Sequence, residues 1–336
     1  MREQALSPAQ SPAQPSSLRV HQFHGLAPGP RLIILGAVHG NETCGTQAIQ
    51  RLLTELDAGR LQILRGQLTL VPVTNPLAYA KGQRTGERNL NRNLQPKAAP
   101  LDFEDRIGNA LCPLLAAHEV LLDLHSFHTA GEPFTMLGPL DNTGPIEPFA
   151  HSVAESRWAA HLGARRFVEG WLETYDQGVQ ERQARAAQGR IPGVTPGSLA
   201  THYGMGTTEY MRSVGGYGVT LECGQHDDPA AVGVAWTAIT QTLAWLGMAD
   251  LPLAPPVADP EIMRLVAVTD LHHPGDRLVR EWRSFDAVKA GEPIGHRHDG
   301  EAVCAPSDGW VVFPNPRAEV GHEWFYFAQR SDRRLA

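Results

Sequence analysis

Residues 31–45 read RLIILGAVHGNETCG. The apolar run Leu32 to Leu35 passes straight into a glycine-bearing loop, the pattern of a short strand buried on both faces. Beyond the loop, Ala48, Ile49, Leu52, Leu53 and Leu56 recur at helical spacing, and Asn41 stands where it can cap that helix. Strand, loop and helix together form the opening unit of an α/β sheet, whose ligands gather at the carboxyl ends of strands. His39 and Glu42 stand at such an end.

The same pattern returns along the chain. QLTLVPVTN (67–75), EVLLDLHSF (119–127) and YGVTLECGQ (217–225) read as further strands. Asp228 and Pro229 open a helix carried on by AAVGVAWTAITQTLAWLG. Apolar strands alternating with helices predict an α/β fold with its sheet covered on both faces, over residues 18–250. LPLAPPVADP (251–260) reads as a proline-rich linker. After it, short segments punctuated by Gly, Pro and Asp predict a small all-β domain over 261–336. Residues 1–17, rich in Pro, Ser and Gln with no apolar core, read as a disordered tail and not as a signal peptide.

A chain of 336 residues has room for both parts. Its net charge of −7 excludes broad binding to nucleic acid or an anionic membrane, so an anionic substrate must be held by local cations. No apolar run approaches the ~20 residues of a membrane span. Cys44, Cys112, Cys223 and Cys304 are too scattered for a zinc pair or a disulfide framework, which suits the cytoplasm. The sequence leaves a homo-oligomer open.

His39, Glu42, His125 and Glu222 thus fall at three strand ends. Two imidazoles and a carboxylate are a known catalytic zinc set, and the cation they hold lowers the pKa of bound water from ~15.7 towards ~7. Asp123 shares a strand face with His125 and is placed to orient its ring. Against this, HxxE is common, strand-end histidines are often merely hydrogen-bonded, and a buried Glu222 could serve a salt bridge. Residue types and spacing leave both readings open.

GAVHGNET, an NR pair, LLDLHS and VTLECG, in that order, resemble the succinylglutamate desuccinylase and aspartoacylase family, zinc hydrolases with a carboxypeptidase-like fold. The resemblance runs from Leu18 onward, and GWVVFPNPRAEVG is similar to the small β-domain of desuccinylases. It implies a mixed sheet flanked by helices, with a small C-terminal all-β domain. It implies one zinc per chain on His39, Glu42 and His125, with Glu222 as general base. Asn91 and Arg92 would hold a substrate carboxylate, Arg84 would polarise the scissile carbonyl, and Arg212 would be a further substrate contact. The implied reaction is hydrolysis of the linear amide of a small, carboxylate-bearing N-acyl amino acid.

Some positions depart from that pattern. Asn89 stands where relatives often carry an acid. Arg88 has no counterpart and reads as a surface residue, His128 reads as structural, and HDD (226–228) reads as a helix cap. Tyr326 is a candidate for the tyrosine that relatives bring from the β-domain, but stays outside the set. Two rivals remain. One is a zinc carboxypeptidase acting on small peptides, against which stands the β-domain that narrows the mouth in relatives. The other is a non-catalytic zinc- or metabolite-binding relative, against which stand Glu222 and Arg84.

Overall fold

The computed structural model describes residues 14–189 and 203–335. Its strands are β1 (His21–His24), β2 (Ala27–Gly36), β3 (Arg65–Val71), β4 (Val120–Phe127), β5 (Phe134–Met136), β6 (Arg166–Glu169), β7 (Tyr217–Gln225), β8 (Glu261–Asp270), β9 (Arg277–Leu278), β10 (Asp286–Val288), β11 (Pro293–His296), β12 (Ala302–Cys304), β13 (Gly309–Val312) and β14 (Glu323–Arg330). The helices are α1 (Cys44–Asp57), α2 (Pro76–Lys81), α3 (Phe103–Ala116), α4 (Ser152–Ala159), α5 (Trp171–Ala187), α6 (Thr207–Ser213) and α7 (Ala230–Trp245).

The run Leu32–Leu35 is fully buried in β2, which pairs in parallel with β3 on one side and β4 on the other. Side chains alternate across the sheet. Leu32, Ile34, Leu122, Leu124, Val219 and Leu221 meet α1 and α7 through Ala48, Ile49, Leu52, Ala235 and Ile239. Ile33, Leu35 and Leu121 meet α3 through Phe103, Ile107, Leu111 and Leu115 on the opposite face. Burial on both faces explains why these strands are almost wholly apolar.

Two local expectations need correction. Thr43, not Asn41, stands before the first turn of α1, and Asn41 turns its side chain to His226 instead, Nδ2 to Nε2 3.4 Å. Strand β3 stops at Val71, because Pro72 lacks the N–H that a ladder needs and Pro76 opens α2, where Asn75 Oδ1 accepts from Ala78 N at 3.1 Å. The N-terminal tail lies outside the described residues up to residue 13, and Gln14 reaches Glu87 with Nε2 to Oε1 at 3.1 Å.

The sheet is mixed and runs in the order β1-β3-β2-β4-β7-β5-β6-β8-β14-β13-β10. Strand β8 pairs in parallel with β6, so the strands after Glu261 continue the sheet begun by β2, and a separate small antiparallel sheet, β12-β11-β9, lies beside them. Tyr326 on β14 packs in one cluster with Phe134, Val168 and Val268, so this C-terminal region shares a core with the helices and strands before it. Among the described residues no helix is long and apolar enough to cross a membrane.

Candidate active site

Register brings the strand-end residues together. Leu35 pairs with Asp123, and His125 pairs with Glu222 on the neighbouring β7. His39 reaches the same place from the loop after β2. That loop is tied down by Thr74 N to Gly36 O (2.9 Å) and Asn75 N to Ala37 O (3.0 Å), with Ala37 in the left-handed region at φ 46°. Gly40 packs so tightly on α2 that a Cβ there would lie 2.0 Å from the Ala78 carbonyl carbon.

His39, Glu42 and His125 are buried, and one ligand atom from each lies within 4.8 Å of the others. Both imidazoles turn Nδ1 to the Glu42 carboxylate, His39 to Oε1 at 2.9 Å and His125 to Oε2 at 2.8 Å. Their outer nitrogens face oxygens: His39 Nε2 lies 3.0 Å from Asn89 Oδ1, and His125 Nε2 lies 3.0 Å from Asp123 Oδ2. Thr207 Oγ1 in turn donates to Asp123. Outer contacts of this kind fix the tautomer and tilt of an imidazole in a site that holds a metal.

Burial and the Arg84 guanidinium push His39 down to about 4, so its ring is neutral with a lone pair to give. Burial would raise Glu42, but the two imidazoles hold it well below the usual carboxylate range. His125 goes well above an ordinary histidine, the Asp123 and Glu42 carboxylates outweighing its burial. Positive charge is favoured between these carboxylates. His39 Nδ1 is buried without a hydrogen-bond partner despite its approach to Glu42, as a lone pair aimed at a shared ion requires. The donor set therefore fits a zinc ion.

A cavity of about 170 Å³ opens on this cage, and its wall holds His39, His125, Glu222, Arg84, Asn91, Arg92 and Arg212. Burial, then the Glu42 charge, pushes Glu222 up to about 8 despite His125 and Arg84, and its Oε2 has no hydrogen-bond partner. Arg84 bonds Glu42 Oε1 through Nη1 at 2.8 Å, its side chain half exposed. Arg92 donates to the Asn91 carbonyl at 2.8 Å and lies over Trp171 and Tyr175, 5.0 and 4.7 Å from the ring centres. Asn91 Oδ1 accepts from Thr207 N at 2.8 Å.

Arg212 is differently placed. Its guanidinium meets Glu147 at 2.7 Å, Glu155 at 3.2 Å and Glu209 at 3.6 Å, and donates to the Gly218 carbonyl at 2.7 Å. Three carboxylates surround one cation. Arg88 corrects the surface reading: it bridges Asp102 and Asp105 at 2.6 Å each and donates to the carbonyls of Asn89 and Arg92, stapling the arginine loop to α3. No charge pattern along the loop reveals this, since both acids lie beyond it on the start of α3.

His128 Nε2 lies 3.1 Å from the Pro314 carbonyl, a structural contact at the cavity rim. The N-cap of α7 is Pro229, with no side-chain cap bond, and Asp228 just before it accepts from Ala230 N through Oδ1 at 2.8 Å, whereas His226 Nδ1 meets Ser126 Oγ at 2.9 Å. Tyr326 also lines the cavity, and its buried hydroxyl has no hydrogen-bond partner. Glu323 joins the wall from the same strand, held down to about 2 by Arg92 and Arg182 against its burial. Neither could be aligned from motifs, because they enter through the β8–β14 pairing.

Residues 28–137 match the family model described as the succinylglutamate desuccinylase/aspartoacylase catalytic domain. A curated relative, the N-alpha-acetyl-L-2,4-diaminobutyric acid deacetylase of Halomonas elongata, is 33% identical over 104 residues, 29% of this chain and only 29% of that protein. Among solved structures, a succinylglutamate desuccinylase/aspartoacylase from Rhodobacter sphaeroides superposes with a TM-score of 0.68 at 18% identity, covering 94% of this chain and 90% of that one. A product-bound ectoine utilization protein from Ruegeria pomeroyi gives 0.64 at 18% over 92% and 88%, and a succinylglutamate desuccinylase from Vibrio parahaemolyticus gives 0.67 at 15% over 94% and 87%. At these identities the structures speak for the fold. The resemblance read from the motifs thus meets a family match over the segment that carries His39, Glu42 and His125.

Proposed function

We propose that this relative of the succinylglutamate desuccinylases and aspartoacylases is a zinc-dependent hydrolase that cleaves the linear amide of a carboxylate-bearing N-acyl amino acid. One observation carries the reading: the His39–Glu42–His125 cage shares a buried cavity with an unpartnered carboxylate, Glu222, and with Arg84 and Arg92. A zinc ion held by the three ligands supplies Lewis acidity, which makes water deprotonable near neutral pH and polarises a carbonyl.

Glu222 takes a proton from the attacking water as it adds to the amide carbon, and returns it to the departing amine as the C–N bond breaks. Arg84 faces the oxygen that gains charge in the addition step, a contact worth ~3–4 kcal/mol in other hydrolases. Arg92, lying over the Trp171 and Tyr175 rings, offers its planar fork to the α-carboxylate, with Asn91 beside it. The products are a free amino acid and a carboxylic acid.

A second reading concerns the side chain of the substrate. Glu147, Glu155 and Glu209 already engage Arg212, and its Nη2 donates to the Gly218 carbonyl, so Arg212 is not free to clamp a second carboxylate and a substrate side chain without one is favoured. The Halomonas relative is named for a substrate of that kind. We place the protein in the cytoplasm, divided into a catalytic part over 18–250 and a β-part over 261–336, with self-association left open.

A hydrolysis screen tests this. Zinc-loaded protein is offered N-acetyl and N-succinyl derivatives of aspartate, glutamate and 2,4-diaminobutyrate, with release of the free amine measured. Turnover of at least one is expected. No turnover on any of them, with zinc bound, would overturn the proposal.

A further inference from the structure

Among the described residues a second group of side chains could hold a metal ion: His273, Asp276 and His298. We propose that these three form a second metal site, for a divalent ion of the zinc, copper or nickel type, that staples two loops of the C-terminal region.

The loop after β8 supplies His273 and Asp276, and the turn between β11 and β12 supplies His298. Their ligand atoms lie within 4.8 Å of one another. Asp276 is buried and already oriented: Oδ2 accepts from Arg297 Nη1 at 2.8 Å and His272 N at 2.9 Å, and Oδ1 accepts from His298 N at 3.0 Å. Each oxygen has more than one lone pair, and Oδ1 lies 3.7 Å from His298 Nδ1.

The imidazoles stand on the solvent side. Their rings stack with centroids 3.9 Å apart and planes 25° from parallel. An imidazole in its neutral form offers one ring nitrogen as a metal donor. His273 Nδ1 now accepts from Gly275 N at 2.9 Å, and that one bond is exchanged for coordination. Imidazole donors select borderline transition ions over Mg²⁺ and Ca²⁺, which prefer oxygen ligands. Arg297 offsets part of the Asp276 charge, so the site binds more weakly than the buried cage.

The location gives such an ion a task. The sheet β12-β11-β9 is built from strands of three, four and two residues, too few ladder bonds to fix their relative positions alone. An ion joining the loop before β9 to the turn after β11 clamps the sheet at one end.

The test is zinc titration of metal-stripped full-length protein by equilibrium dialysis with elemental analysis, beside a His273→Ala/His298→Ala variant. Wild type is expected to bind two ions per chain, one tightly and one more weakly. The variant should lose only the weaker ion and keep wild-type hydrolysis. His298→Gln alone should weaken the second ion at least tenfold. A single ion in the wild type, or a second ion that survives in the double variant, overturns the proposal.

Discussion

Glu104 is fully buried beneath the arginine loop, and its carboxylate organises the loop backbone. Oε1 accepts from Asn75 Nδ2 at 2.9 Å, Gly86 N at 3.0 Å and Glu87 N at 3.2 Å, while Oε2 accepts from Glu87 N at 3.2 Å and Arg88 N at 3.1 Å. Glu104→Gln keeps the shape and removes the charge. If the amide oxygen takes the place of Oε1, the new NH₂ faces the Arg88 N–H, donor against donor. An orphaned buried donor costs ~1–3 kcal/mol, and converting charge-assisted bonds to neutral ones costs ~1 kcal/mol each. Partial relaxation offsets some of this, leaving a loss of about 3 kcal/mol. Because Arg84 and Arg92 lie on either side of Gly86–Arg88, the clamp should loosen too, raising KM with zinc content unchanged. Urea unfolding with a constant m-value measures the first effect and steady-state kinetics the second. A variant within ~0.5 kcal/mol of wild type, the spread of ordinary surface changes, would refute this role for Glu104.

Other expectations follow from the same geometry. Gly40→Ala forces backbone apart where a Cβ would sit 2.0 Å from Ala78, so it should cost ~1–3 kcal/mol and weaken zinc retention against a chelator; retention equal to wild type would contradict the close packing. Asn89→Ala removes the oxygen facing His39 Nε2 at 3.0 Å and should weaken zinc binding ~10–100-fold, whereas Asn89→Asp should tighten it. Competition dialysis decides between these outcomes and no effect. Glu323 is held at about 2 against an ordinary 4.5, so the stability it contributes is complete above 4.5 and lost as pH falls towards 2, up to about 3 kcal/mol. The stability gap between wild type and Glu323→Gln should therefore narrow through that window, and a constant gap would argue against the pairing with Arg92 and Arg182.

Much of the first part of the sheet was legible because burial on both faces writes strands as unbroken apolar runs. Leu32–Leu35 and the stretch 120–127 were visible for that reason, and the residues that end them announced the crevice. The Asp123–His125 contact follows from period-two alternation on one strand, with one oxygen then serving one imidazole. Contacts between distant segments were not legible. Glu147 and Glu155 reach Arg212 across 65 and 57 residues, so the sequence could show an arginine at the right offset but not that its donors are engaged. Arg88 looked solvated because Asp102 and Asp105, which hold it, lie past the end of the loop. The parallel pairing of β6 with β8 joins residues 95 apart from Arg166 to Glu261, and proline-rich composition between them gave no sign of it.

The most direct test sets Glu222→Gln beside wild type, measuring tightly held zinc and turnover of an N-acyl amino acid on the same preparations. The account predicts undiminished zinc, because Glu222 lies outside the cage, and a fall in turnover of about 10²–10⁴-fold. Turnover at the wild-type level with zinc in place, or hydrolysis persisting in protein stripped of the ion, would contradict it.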